Sequence, residues 1–445
     1  MKHQNAWIYK QDQLTMEPSM GILLAVAVAF IVGGLLVSGL GILAIGICVY
    51  ICLEYDVDSI LDMLMLILPL SPVFKLGGIS GFACYNILLL VATFKILVTC
   101  NMTFLFPDTT CFLLLMYIVC GIKNADITAV IRFAVQMIIC MQVLNEPVLR
   151  NRMNFQRKNI MMAIGVVLSS CIGVMHDYFP GVRRLYLEYG TRIKLGSGIY
   201  FSRFMGVETN PNMYTVLISV CIAVYFVYYI AGRMRKTDWL LVMALIIFGL
   251  MTVSMSFILT LGITVGIAFL MACRRKPNLV FYAVPIAVIS LVILSSTSIG
   301  RNILETILFR FENQLSDDSG VDTLTTGRSD YWLQYIDYFA RHPMKTIIGA
   351  GLDANLDGLP NSHNYYLETV YYLGIIGTIL YIISLVSIFS PRRYTNRKTE
   401  FYMILPFLCI FIRGMARNLI CEEKLMMIYL LSTFAAYDVQ MGTET

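Results

Sequence analysis

The amino-acid sequence predicts an all-α, polytopic integral membrane protein with about 12 to 14 transmembrane helices. Hydrophobic residues make up 58% of its 445 residues and charged residues only 14%, and the mean hydropathy is +0.74. These values exclude an ordinary soluble globular protein. Apolar runs of about 15 to 25 residues recur along nearly the whole chain, and a helix of that length crosses the hydrocarbon of a bilayer.

The order of these runs predicts the helices. Two runs, 20–53 and 238–273, are too long for one span, so each predicts a tight hairpin, the first broken near Ser38-Gly39-Leu40-Gly41 and the second near Thr252-Val253-Ser254. A run at 58–74, which contains Asp62 and Pro69, is either a crossing or a re-entrant segment, and three short runs lie between 400 and 440. Clear single crossings lie near 80–98, 103–121, 126–145, 159–177, 212–231, 278–296 and 364–389.

The polar segments divide the chain into five parts. These are N-terminal transmembrane helices (1–175), a first outer loop (176–211), central transmembrane helices (212–296), a large outer loop with an amphipathic helix (297–362) and C-terminal transmembrane helices (363–445). The first apolar run lacks a small-residue cleavage site, so we expect it to remain as an anchor.

Basic residues predict the orientation of the chain. If the runs alternate, four basic groups lie on one side, which the positive-inside rule assigns to the cytoplasm. Both long polar loops then face outward, and both termini lie inside if the 58–74 run crosses. The four groups are Arg150, Arg152, Arg157 and Lys158; Arg233, Arg235 and Lys236; Arg274, Arg275 and Lys276; and Arg392, Arg393, Arg397 and Lys398.

Several classes of chemistry lack their residues in this sequence. Most of the twelve cysteines lie inside apolar runs, which is typical of small apolar helix residues and not of a disulfide framework. The four histidines and the absence of Cys-x-x-Cys and His-x-x-x-His motifs argue against a metal site. Glycine-rich phosphate-binding motifs are also absent. We therefore expect no metal and no other cofactor.

The first outer loop is a candidate anion site. It contains Arg183, Arg184, Arg192, Lys194 and Arg203 on the side where basic residues are scarce. A solvated basic loop is the simpler interpretation for Arg183, Arg184 and Arg192. Arg203, in contrast, precedes Asn210-Pro211-Asn212, where Asn210 is suited to cap the next helix and Asn212 to face a ligand. The helix dipole would add to the attraction for a phosphate.

The second outer loop combines a solvated acidic stretch, Glu312 to Asp322, with a helical pattern. Arg328 begins the helix, and His342-Pro343 ends it. Arg328 is either an anion ligand or a surface residue beside Asp330. The apolar face of the predicted amphipathic helix consists of Trp332, Tyr335, Ile336 and Phe339.

A titratable imidazole, His363, lies where a polar loop enters the last long apolar run. Ser362 or Asn361 is a candidate helix cap, which places His363 in the first turn and Glu368 one turn deeper. An imidazole with a pKa near ~6.5 is suited to proton transfer, and an ionisable residue at the depth of Glu368 is a functional candidate. The nearby tyrosines are typical of an interfacial belt, and Gly374 and Gly377 of close helix packing.

Four motifs in this order resemble the O-antigen polymerase and O-antigen ligase superfamily of bacterial envelope glycosyltransferases. The resemblance covers about residues 200 to 390, and the first half of the chain agrees only in its apolar character. The motifs are Arg203, Gly206, Asn210, Pro211 and Asn212; Thr326, Gly327, Arg328 and Trp332; His342, Pro343, Gly349 and Gly351; and His363, Asn364, Tyr366, Leu367, Gly374 and Gly377.

This resemblance implies transfer of a glycan from an undecaprenyl-diphosphate carrier to an acceptor sugar hydroxyl, at the outer face of the bacterial cytoplasmic membrane. Arg203 and Arg328 would hold the diphosphate and His363 would take the proton. The supporting residues would be Asn212, Asn364, Glu368 and Lys194. The chain departs from the family at Ser254-Met255-Ser256, where many members have an arginine, so Arg192 or Lys194 is a candidate substitute.

The resemblance leaves several activities open. A polymerase that joins repeat units of an O-antigen, capsule or exopolysaccharide is the first choice, because the short acidic outer loop favours a lipid-linked acceptor. An O-antigen ligase and a protein O-oligosaccharyltransferase share the motifs. A lipid-linked oligosaccharide flippase or other transporter would show more charges inside its helices than Asp62, Lys95, Asp126, Arg132 and Glu368. The expected partners are the glycan donor, the glycan acceptor and membrane lipid, with no nucleic acid, and a chain-length regulator remains an open alternative.

Overall fold

The computed structural model describes the chain in blocks. These are residues 16–37, 39–76, 82–99, 109–121, 125–146, 153–190, 192–194, 200–275, 296–297, 301, 304–309, 328–389, 400–420, 422 and 424–441. The predicted crossing at 278–296 lies almost entirely outside the described residues, and so does the acidic stretch 312–322.

The described residues form an all-α bundle, as predicted. The helices are α1 Pro18–Gly34, α2 Gly39–Glu54, α3 Val57–Ile67, α4 Cys84–Thr99, α5 Thr109–Cys120, α6 Ile127–Asn145, α7 Phe155–Val174, α8 Pro180–Tyr189, α9 Pro211–Ile230, α10 Asp238–Met251, α11 Met255–Arg275, α12 Arg328–Arg341, α13 Pro343–Ile348, α14 Tyr365–Phe389, α15 Glu400–Gly414 and α16 Leu425–Met441. Short 3-10 turns lie at Leu68–Leu70 and His176–Tyr178.

Two small antiparallel hairpins interrupt the helices, and the sequence did not predict them. In the first, β1 (Lys75–Leu76) pairs with β2 (Phe82–Ala83). In the second, β3 (Arg192–Lys194) pairs with β4 (Tyr200–Ser202), so that Arg192 lies opposite Ser202. The second hairpin brings the backbone of the first outer loop back towards α9.

Five helices among the described residues, α6, α7, α9, α11 and α14, are long and apolar enough to cross a membrane. Seven shorter apolar helices accompany them: α1, α2, α4, α5, α10, α15 and α16. Both predicted hairpins are confirmed, because α1 ends at Gly34 before α2 begins at Gly39, and α10 ends at Met251 before α11 begins at Met255. The prediction of three runs between 400 and 440 is wrong, since the described residues of that range form two helices, α15 and α16.

Helix α9 lies at the centre of the bundle. Nearly all of its side chains are buried, and it packs against α7, α10, α11, α15 and α16. Its start is as predicted, with Pro211 at the first position and the Asn210 side chain accepting a hydrogen bond from the Asn212 amide at 2.8 Å. A helix that is apolar on all sides is suited to such a central position.

One end of the bundle, here called the Asp62 end, contains a buried ion-pair network. Asp58 and Asp62 of α3 pair with Arg157 and Lys158 of α7, with Lys158 Nζ 3.0 Å from Asp62 Oδ1. Arg157 and Lys158, which the sequence groups with the basic residues of one side, lie in the first turn of α7 and are neutralised by α3.

Other contacts assign helix termini to the same end. Lys95 donates to the Leu53 carbonyl at 2.6 Å, and Arg233 pairs with Asp438. Gln156 donates to Asp238 at 3.3 Å. The ends of α2, α4, α9 and α16 therefore lie together with the starts of α3, α7 and α10, as a chain that crosses in alternate directions requires.

The opposite end, here called the His363 end, contains the starts of α9, α11, α14 and α16. The Asp126 amide before α6 donates to the Leu352 carbonyl at 3.0 Å, and buried Lys424 pairs with buried Glu208. Arg203, Arg328 and His363 also lie at this end. The alternation of helices has thus brought these three predicted site residues to one end from three separate segments.

Candidate functional site

Arg203 is a buried residue that follows β4. Its Nε donates to the Thr252 carbonyl at 3.0 Å, and its Nη2 donates to Asn212 Oδ1 at 3.2 Å. Only 7% of the residue is exposed. Arg203 therefore bridges the start of α9 and the turn between α10 and α11, and its guanidinium is held inside the His363 end.

Arg413, near the end of α15, lies beside Arg203 and is fully buried. Its Nη2 donates to the Asn212 carbonyl at 2.5 Å and to Thr215 Oγ1, and its Nη1 donates to Ser256 Oγ. Its Nε is buried and has no hydrogen-bond partner among the described residues. No described carboxylate pairs with Arg413, whereas the positive charges of Arg203 and Arg328 both act on it.

Arg413 was not predicted from the sequence, although it contacts a segment that the sequence singled out. Ser254 and Ser256 belong to the segment that lacks the arginine of the resembling family, and the Arg413 guanidinium contacts both serines, Ser254 at 3.5 Å. An arginine from α15 therefore supplies a guanidinium where α11 has none. The signal in the sequence was a single charge at the end of an apolar run, which is a functional candidate by default.

Arg328 begins α12, the predicted amphipathic helix. The helix is confirmed at Arg328–Arg341, with Tyr335 fully buried while Ile336 is 55% exposed. Trp332 Nε1 donates to the Ser362 carbonyl at 3.0 Å, which fixes α12 against the segment that contains His363. Arg203, Arg328 and Arg413 are called the arginine cluster below.

The His363 segment is held by Glu368. The Ser362 amide and hydroxyl both donate to Glu368 Oε1, at 2.9 and 2.8 Å. The Asn364 side chain accepts from the amides of Tyr366 and Leu367, so Asn364 is the cap of α14. The predictions of Ser362 or Asn361 as the cap, and of His363 in the first turn, are therefore wrong.

His363 lies just before the helix in a left-handed backbone conformation, with φ of 50°. This conformation is uncommon for a residue with a side chain and is found where the surroundings impose it. The His363 amide donates to Asn361 Oδ1 at 2.9 Å, and the half-buried ring has an Nδ1 without a hydrogen-bond partner among the described residues.

The imidazole of His363 is neutral over a wide pH range. Burial and the positive charges of Arg328 and Arg417 lower the pKa of His363 from 6.5 to about 4. Desolvation and nearby like charges both disfavour the protonated form. The ring is therefore unprotonated at neutral pH and has a free nitrogen lone pair that can accept a proton.

A break in α14 positions this segment. Gly374 inside the helix has φ of 66°, and Gly349 has φ of 80°. The amides of Ala350 and Gly351 donate to the carbonyls of Tyr371 and Tyr372 at 2.9 and 3.0 Å. A Cβ on either Gly349 or Gly374 would lie under 3 Å from the backbone of the segment that contains the other glycine. Only glycine therefore allows these two backbone segments to pack so closely.

The remaining predicted residues divide into three groups. Asn212 lies in the site, and its Oδ1 accepts from both Arg203 and Ser254; its predicted supporting role stays a prediction. Arg183 and Arg184 are exposed, as expected of a solvated loop. The side chains of Arg192 and Lys194 lie outside the described residues.

These features define a polytopic membrane protein with a buried cationic site beside a neutral imidazole at one end of its bundle. Residues 240–382 match the family model described as O-antigen ligase. The match confirms the predicted relation to the O-antigen polymerase and ligase superfamily, and it includes Arg328 and His363 but neither Arg203 nor Arg413. No curated protein matches the chain significantly.

Proposed function

We propose that the protein is a glycosyltransferase that polymerises lipid-linked oligosaccharide repeat units, carried on undecaprenyl diphosphate, for an O-antigen, capsule or exopolysaccharide. The observation that carries the proposal is the convergence of the arginine cluster with His363 at one end of the bundle. The arginine cluster is suited to bind an anionic leaving group, and His363 is suited to accept a proton from a hydroxyl.

The donor diphosphate is assigned to the arginine cluster. Arginine presents planar N–H donors that match phosphate oxygens in pairs. A buried cation without a counterion is costly, and Arg413 is such a cation among the described residues. A diphosphate would compensate the charge of Arg413, and the three arginines would stabilise the negative charge that develops on the departing diphosphate.

His363 is assigned as the general base. The acceptor hydroxyl gives its proton to the neutral imidazole, and its oxygen forms a bond to the anomeric carbon of the donor glycan. The bond from that carbon to the diphosphate breaks, and the electron pair leaves with the diphosphate. Glu368 acts through Ser362 and so positions His363 without touching the reacting atoms.

The proposed orientation places the His363 end at the outer face of the bacterial cytoplasmic membrane. Arg233, Arg235 and Lys236 lie in the loop between α9 and α10 at the Asp62 end, and short loops rich in basic residues remain in the cytoplasm. The site would then meet lipid-linked glycans that have already crossed the membrane. A length-regulating partner would act in the same compartment.

The test is synthesis of polymer in proteoliposomes from purified, diphosphate-linked repeat units. We expect wild-type protein to form a ladder of products and His363→Ala to lose about 10²- to 10⁴-fold in rate, which is the usual contribution of a general base. His342→Ala is the matched control, because His342 is an exposed histidine in the turn between α12 and α13.

Three outcomes would contradict the proposal. A wild-type protein that caps an acceptor once, without a ladder, would indicate a ligase. Movement of the lipid-linked glycan across the bilayer without release of lipid diphosphate would indicate a transporter. A His363→Ala variant as active as His342→Ala would remove the imidazole from the reaction.

A further inference from the structure

A second polar site adjoins His363 on the side of Arg417. It is a cavity of about 470 Å³ between α6, the segment before α14 and the turn between α15 and α16. Its lining includes three carboxamides, Asn355, Asn361 and Asn418. This volume lies within the range of small-ligand pockets, about 300 to 1,000 Å³.

The charges in this cavity are balanced. Arg132 and Arg417 contribute two guanidiniums, and Asp353 and Glu422 contribute two carboxylates. Arg417 Nη2 donates to Glu422 Oε1 at 2.9 Å, so this cation is neutralised locally. The cavity therefore differs from the arginine cluster and favours an uncharged ligand over a phosphate.

The carboxamides indicate the kind of uncharged ligand. Each amide offers N–H donors and a carbonyl acceptor, which suits a hydroxyl that must both donate and accept. Asn355 is exposed, and no described residue bonds its side chain. Asn418 uses its Oδ1 for the Ile420 amide at 3.2 Å, which leaves its amide hydrogens available. A polyhydroxylated ligand such as a sugar matches this lining.

His363 is close to both the cavity and the arginine cluster. Asn361 lines the cavity and accepts from the His363 amide at 2.9 Å. Arg417 from the cavity and Arg328 from the cluster both act on the His363 ring. A ligand in the cavity and a ligand on the arginines would thus both lie near the same imidazole.

We propose that this cavity binds the terminal sugar of the acceptor glycan and directs one of its hydroxyls to His363. The inference rests on the proposed transferase function and adds the acceptor site to it. The hydroxyl proton passes to His363, the hydroxyl oxygen bonds to the anomeric carbon, and the diphosphate departs with the electron pair on the arginine side.

The experiment uses the full-length protein in proteoliposomes with a fluorescent glycoside of one repeat unit that carries no diphosphate. This probe can act only as acceptor, so its KM is measured separately from the KM of the lipid-linked donor. We expect Asn355→Ala and Asn418→Ala to raise the acceptor KM about threefold to tenfold, as the loss of one hydrogen bond implies. The donor KM should stay unchanged.

Asn145→Ala is the matched control, since Asn145 lies at the Asp62 end of α6, at the opposite end of the bundle from the cavity, and donates to the Met141 carbonyl at 2.9 Å. Because the Asn355 side chain has no described partner, Asn355→Ala is expected to fold normally even if Asn418→Ala does not. If both variants raise the donor KM, the cavity belongs to the donor. If neither differs from Asn145→Ala, the acceptor site is elsewhere. A wild-type protein that labels no probe would instead contradict the transferase function itself.

Discussion

The two ends of the helical bundle bury the same kinds of charged side chain but balance them differently. At the Asp62 end, Asp58 and Asp62 face Arg157 and Lys158, so two anions meet two cations. At the His363 end, Arg413 is fully buried and no described carboxylate pairs with it. Buried charge is costly unless it is compensated. The buried charges of the Asp62 end therefore neutralise one another, whereas the His363 end is suited to an anionic ligand.

The imbalance belongs to Arg413 and not to the whole of that end. Lys424 and Glu208, at the same end, are 1% and 3% exposed and form a buried ion pair. Hence the fold can place a carboxylate opposite a buried cation there. Around Arg413 it places hydroxyls and carbonyls instead, which satisfy hydrogen bonds without cancelling the charge.

The largest expected effects separate stability from activity. Asp62→Asn leaves Arg157 and Lys158 in excess and should destabilise the protein by about 3–5 kcal/mol, as the loss of one partner of a buried ion pair does. Arg413→Gln removes a cation that has no counterion among the described residues, so thermal stability should hold or rise while polymer synthesis falls about tenfold to a hundredfold. Thermal unfolding in detergent and turnover in proteoliposomes measure the two quantities.

The control for this comparison is Asp357→Asn, which breaks the exposed ion pair of Asp357 with Lys345 and should change stability little. An Arg413→Gln variant that unfolds as readily as Asp62→Asn would make the arginine cluster a second structural network. The comparison between the two ends would then fail.

An intermediate effect distinguishes paired hydrogen bonds from charge alone. Arg203→Lys and Arg328→Lys keep the charge but lose the planar donor group. If these arginines hold a diphosphate, each variant loses about 1.5–3 kcal/mol of transition-state stabilisation, or about tenfold to a hundredfold in turnover. Arg183→Lys and Arg184→Lys, at exposed positions of α8, should be nearly harmless. Equal turnover of all four variants at matched protein levels would contradict the diphosphate assignment.

The smallest effect concerns the pH dependence of the reaction. Because the pKa of His363 is lowered to about 4, the base is unprotonated at neutral pH, and kcat/KM should fall only as the pH drops towards that value. A bound diphosphate offsets the charge of Arg328, so the pKa should be higher in the complex. The acid limb of kcat, measured with saturating donor, should then lie at higher pH than that of kcat/KM.

Arg417→Gln sharpens this last prediction. Removal of one of the two cations that act on His363 should move the acid limb of kcat/KM to higher pH. An acid limb near the ordinary histidine value in both wild type and variant would show that neither burial nor the arginines control the imidazole.

The sequence predicted the parts of the structure that depend on residues close together along the chain. The breaks of both long apolar runs, the Asn210-Pro211 start of α9 and the amphipathic α12 all follow from turn residues, caps and periodicity within one or two helical turns. The same local reasoning failed at His363. There the helix cap is Asn364 and not Ser362, because Ser362 donates its hydrogen bonds to Glu368 inside the helix.

Contacts between distant segments were decided by packing alone. Arg413 lies 159 residues from Ser254, and Arg157 lies 95 residues from Asp62. The apolar runs resemble one another in composition, so nothing in a single run specifies which other helices surround it or which loop reaches its end. By itself the sequence determined the membrane class, the candidate arginines and the candidate imidazole. The tertiary structure decided which buried charges are neutralised and which are left for a ligand, because that balance depends on which helix ends meet.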